Sequence, residues 1–202
     1  QPLLLRAFLL LEENEKALGW HGRRGLFGTY HHGNRMGVAL RQANWKEERP
    51  KIDRPEVEKA VQAAQEERKF WDGRAAHCRQ ALDLLRTARP KVWPGSRQEL
   101  DYVIYKTENF ITVFEELSAA LEAKAALDRA LLAMNAGDSA TAGEQLEKTR
   151  IALDRADRLV REAARQMIPF AHIPTERHIL YLFNDAIPLH EAAQRYLAEI
   201  IA

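Results

Sequence analysis

The sequence predicts an all-α protein: an elongated up-down bundle of four to five helices, with one irregular loop containing glycine and histidine near the N-terminus. Three observations predict this. Apolar residues recur at alternating four- and three-residue spacings through three long stretches. Proline, glycine and capping residues bound those stretches and leave only short turns between them, so consecutive helices must run antiparallel. No stretch alternates apolar and polar residues with period two, so no sheet is expected.

Pro2 followed by LLLRAFLLLEENEKAL reads as a helix of about four turns, with proline tolerated in the first turn and Gly19 placed to cap the end. Leu3, Leu4, Leu5, Phe8, Leu9 and Leu11 cover most of its circumference, a width expected of a helix buried on more than one side. Residues 19–52 are irregular, with a short helix expected through Asn34–Asn44 despite Gly37.

Asp53-Arg-Pro-Glu56 resembles a capping box with proline in the first turn. Val57, Val61, Ala64, Arg68, Trp71, Ala75, Cys78, Leu82 and Leu85 then form a heptad seam that Pro90 stops. A helix of that length spans roughly 50 Å. After the turn Pro90-Lys-Val-Trp-Pro-Gly95, Ser96-Arg-Gln-Glu99 reads as a capping box. The next seam is Leu100, Val103, Thr107, Phe110, Phe114, Leu117 and Leu121, closed at Asn135-Ala-Gly137. Asp138 or Ser139 starts the following helix, with its seam at Ala142, Leu146, Thr149, Leu153, Ala156, Val160, Ala163 and Met167 and its end at Pro169. A last helix begins near Thr175, and Pro188 is expected to kink or divide it.

Residues 1–52 thus read as an N-terminal helix plus irregular loop and residues 53–202 as the bundle. Because the chain opens on Gln1, the whole is expected to be one domain excised from a longer protein. With 202 residues there is chain enough for a sizeable core. A formal charge of +1 argues against a dedicated nucleic-acid binder, and no run is long enough to span a membrane. Neither nucleic acid nor membrane is therefore expected as a partner. The single cysteine, Cys78, excludes an intramolecular disulfide and a cysteine-based metal framework, and leaves the compartment open.

The stretch GLFGTYHHGNRMG, residues 25–37, is chemically unlike the rest. Its glycines resemble a phosphate cradle, with Arg23, Arg24 and Arg35 nearby. No strand precedes it and no GK[ST] follows, so it reads as a compact loop with Phe27 and Tyr30 packed beneath. His21, His31 and His32 are able to supply zinc ligands from irregular backbone, but the spacing is not that of a closed site, and neither metal nor cofactor is expected. His190-Glu-Ala-Ala-Gln194 misses the metalloprotease pattern HExxH, because Gln194 stands where the second histidine is needed. His190 and Glu191 are therefore expected to be ordinary helix-surface or helix-start residues. Trp71 and Cys78 are expected in the core. Arg68, on the same seam, is expected to pair with a facing acid such as Asp101 or Glu108, or to extend to solvent. His178, Tyr181 and Asp185 share a helical face, which reads as a pocket lining or a solvated stripe. No catalytic constellation stands out.

From Pro94 the run PGSRQELDYVIYKTENFITVFEELSAALEAKAALDRALLAMNAGDSATAGEQLEKTRIALDRA resembles the helical domains that follow the catalytic barrel in large glycoside hydrolases of the hexosaminidase-like or xylan α-glucuronidase-like kind. The resemblance covers about half the chain and rests on a long aromatic-bearing helix followed by an Ala-rich hairpin turning at Gly137-Asp138. It implies a domain without catalytic residues of its own that braces the preceding catalytic domain of the same polypeptide. In that setting the 25–37 loop lends sugar contacts: Tyr30 to stack on a sugar face, and His32, Asn34 and Arg35 to reach hydroxyls or a uronic carboxylate. Two other readings stay open at this point. One is a spectrin-like interaction or dimerisation module, the other a small metal-dependent enzyme using His21, His31 and His32.

Overall fold

The computed structural model describes residues 2–18 and 53–201. Among them are five long helices and no strand: α1 (Pro2–Leu18), α2 (Arg54–Ala88), α3 (Arg97–Asn135), α4 (Ser139–Met167) and α5 (Pro174–Ile201). Short 3-10 turns at Arg89–Lys91, Pro94–Ser96 and Ile168–Phe170 make the corners. The expected helix through Asn34–Asn44, the Gly19 cap, the histidines at 21, 31 and 32 and the whole 25–37 loop lie outside the described residues.

Cross-helix pairs give the directions. Asn14 meets Cys78 and Ala7 lies with Leu85, so α1 runs antiparallel to α2. Arg89 pairs with Asp101 and Arg68 with Glu122, so α2 runs antiparallel to α3. Asn109 donates to the Ala163 carbonyl, and Arg161 pairs with Glu191, which reverses α4 on α3 and α5 on α4. The result is an up-down-up-down-up bundle.

Most of the expected seam positions are buried, while Val57, Arg68, Val103, Phe110, Leu121 and Leu146 are only partly so. Val61, Ala64, Trp71, Ala75, Cys78, Leu82 and Leu85 of α2 are buried, as are Ala142, Thr149, Leu153, Ala156, Val160, Ala163 and Met167 of α4. Helix α3 is the spine. Beyond the seam at Leu100, Thr107, Phe114 and Leu117 it buries a second face through Asn109, Thr112, Val113, Glu116, Ala119, Ala120, Ala123 and Leu127. A helix apolar around most of its circumference must be enclosed by neighbours.

The core divides by side-chain size. Toward one end, Trp71 stacks on Phe114 with ring centroids 5.5 Å apart, and Tyr105 stacks on Phe170 at 3.7 Å. Toward the other, Ala119, Ala120, Ala123, Ala152, Ala156 and Ala193 share a cluster with Leu127, Leu153 and Leu197. Small residues let α3, α4 and α5 approach closely, so leucine alone fills what remains.

The α3–α4 corner forms as expected. Gly137 takes φ 76°, the Asp138 amide donates to the Ala133 carbonyl at 2.9 Å, and the Gly137 amide donates to that of Met134 at 3.1 Å. Asp138 then caps α4 by accepting from the Thr141 amide at 3.0 Å.

Four expectations are corrected. Neither Asp53 nor Ser96 makes a side-chain cap; the Ser96 amide is instead held by the Trp93 carbonyl at 3.0 Å in the 3-10 turn that precedes α3. Pro188 does not divide the last helix, since α5 continues through it as one element. Pro188 lies on the exposed side with Asn184, so water is able to serve the carbonyl that proline leaves without a donor. Among the described residues helix α1 docks by one face, through Ala7 with Leu4 and Leu11, while Leu5 (64% exposed), Phe8 (47%) and Leu9 (51%) are exposed. Arg68 does pair with a facing acid, but that acid is Glu122 and not Asp101 or Glu108, because the antiparallel register sets those two opposite Arg89 and Arg86.

Candidate functional site

Polar groups buried in a helical core mark the places where chemistry or specificity is held, since each must be matched to be tolerated. Three such places join one helix to another among the described residues, beside a network at the edge of the α2–α3 contact.

The first is at the α3–α5 contact. Glu116 sits on the second buried face of α3, in register with Val113, Ala120 and Ala123, and is 4% exposed. Pro188 precedes His190 by two residues on α5, and the turn that follows carries the imidazole inward to 3% exposure. His190 Nε2 lies 3.2 Å from Glu116 Oε1. The contact does not meet the geometry of a hydrogen bond, and Nε2 has no hydrogen-bond partner. This corrects the expectation that His190 is a helix-surface residue. Its neighbours do lie outward: Glu191 pairs with Arg161 at 2.5 Å, and Gln194 donates to Asp154 at 3.0 Å.

The second place ties α3 to α4. Asn109, 3% exposed, donates through Nδ2 to the Ala163 carbonyl at 3.0 Å and to Gln166 Oε1 at 3.3 Å. Gln166 returns a bond from Nε2 to Thr112 Oγ1 at 3.2 Å. Amide and hydroxyl together close a small ring of bonds between the two helices.

The third place ties α1 to α2. Asn14 Nδ2 donates to Cys78 Sγ at 2.9 Å, and burial pushes the Cys78 thiol up to about 12, with the Asn14 bond and the charges of Arg74 and Arg79 acting the other way. A thiol held that high is not a nucleophile at neutral pH. Cys78 and Trp71, both expected in the core, are there at 1% exposure.

At the edge of the α2–α3 contact, around the buried Ser118, Arg68 Nη2 pairs with Glu122 Oε2 at 3.0 Å while its Nε donates to Ser118 Oγ at 3.3 Å. Ser118 in turn donates to Asp72 Oδ1 at 2.6 Å. Arg79 pairs with Glu115 two turns along the same groove.

None of these arrangements has the form of a catalytic centre. A general base must reach a proton on a substrate, and the Glu116–His190 pair is walled in on both helices. No group of three or more His, Cys, Asp or Glu residues is placed to hold a metal ion among the described residues. What the groups do share is that each joins a different pair of helices. Of the sequence-predicted site residues, Tyr30, His32, Asn34 and Arg35 fall outside the described residues, as do the side chains of His178, Tyr181 and Asp185. The sequence left a usable signal for Glu116, since it falls in phase with the alanines of the second α3 face.

In comparisons with known proteins, no family model, curated protein or solved structure matches this chain.

Proposed function

We propose that the chain is a non-catalytic helical-bundle module that braces the catalytic domain of a larger carbohydrate-active enzyme, with the 25–37 loop lending contacts to sugar. The observation that supports the mechanical half of this reading is the central helix α3. It is buried on two faces and joined by side-chain pairs to α2, α4 and α5, through Arg68–Glu122, Asn109–Ala163 and Glu116–His190 respectively. Such cross-ties suit a strut, which must transmit position without opening. The carbohydrate half rests on the resemblance of residues from Pro94 onward and on Tyr30, His32, Asn34 and Arg35.

Two measurements test it together. The chain is incubated with a panel of aryl glycosides and is expected to release no aglycone. It is then titrated by calorimetry with neutral and uronic oligosaccharides, where a Tyr30→Ala or Arg35→Ala variant is expected to bind at least about tenfold more weakly than the parent, as loss of a stacked ring or a bidentate charge implies. Clear hydrolysis sinks the non-catalytic reading, and absence of any sugar binding sinks the carbohydrate half.

The runner-up is a spectrin-like interaction or dimerisation module. The exposed Leu5, Phe8 and Leu9 on α1 favour it. Sedimentation velocity separates the two, since a specific dimer at micromolar concentration belongs to the interaction module.

A further inference from the structure

We draw no further inference here: the strongest candidate, the side-chain cluster of Asn14 on α1 with Arg74 and His77 on α2, whose Oδ1, Nε and Nδ1 atoms are buried without a hydrogen-bond partner, carries nothing because nothing in the structure shows what meets those atoms.

Discussion

Glu116 of α3 and His190 of α5 face one another at 3.2 Å inside the bundle, each more than nine-tenths buried. A carboxylate and an imidazole withdrawn from water to this degree act on each other and on almost nothing else. Removing one leaves the other buried polar group facing an apolar side chain, which costs about 1–3 kcal/mol. Glu116→Leu and His190→Leu are each expected to lower the stability measured by urea unfolding by that amount. The double variant Glu116→Leu/His190→Leu is expected to return to within about 1 kcal/mol of the parent, because no buried polar group is then left facing an apolar one. Additive losses in the double variant would show that the two residues do not act as a pair.

Cys78 predicts a pH dependence. Burial holds its thiol up to about 12 from the ordinary 9.0. Below pH 9 both folded and unfolded chains keep the proton, so the contribution to stability is fully present there. Between 9 and 12 the unfolded chain releases a proton that the folded chain retains, and stability falls as pH rises through that window. Other groups titrate there too, so the readout is a difference. Urea midpoints of the parent are expected to drop more steeply between pH about 9 and 10 than those of Cys78→Ala. Parallel slopes for the two proteins would refute the assignment.

Asn109 is the donor on which the α3–α4 ring of bonds depends, and at 3% exposure no water replaces it readily. Asn109→Ala leaves Gln166 Oε1 short of a partner and is expected to cost about 1–3 kcal/mol in thermal or urea unfolding. An unchanged midpoint would mean that the ring contributes nothing.

Gly95 is expected to matter for position more than for stability. Its lack of a side chain is what lets the Trp93 indole lie across it. Gly95→Val is expected to lift the ring, which acrylamide quenching of tryptophan fluorescence will register as greater access. The change in unfolding free energy is expected to stay within about 1 kcal/mol, as for most surface substitutions. A large loss of stability with unaltered quenching would contradict this.

The parts of the fold legible from sequence were those that repeat. Val61, Trp71 and Leu85, or Ala142, Leu153 and Met167, recur at helical spacing, and periodicity is a local property that survives without knowledge of neighbours. The Gly137-Asp138 corner was legible for the same reason, since positive φ and an aspartate cap are local chemistry. What depended on register was not. The partner of Arg68 follows only once α2 and α3 are set antiparallel with 68 opposite 122. The burial of His190 likewise needed α5 to be placed on α3. The exposed side of α1 misled because a run rich in leucine has the same pattern whether one face or two are covered.

The central claim is that α2, α3 and α4 form one mechanical unit with α3 as its spine. Native-state hydrogen exchange, followed amide by amide as denaturant is raised, tests it most directly. The account predicts that the slowest amides of the three helices exchange with one common free energy, equal to that of global unfolding. Exchange of the α3 midsection around Val113–Ala123 through a separate opening of lower free energy would contradict it.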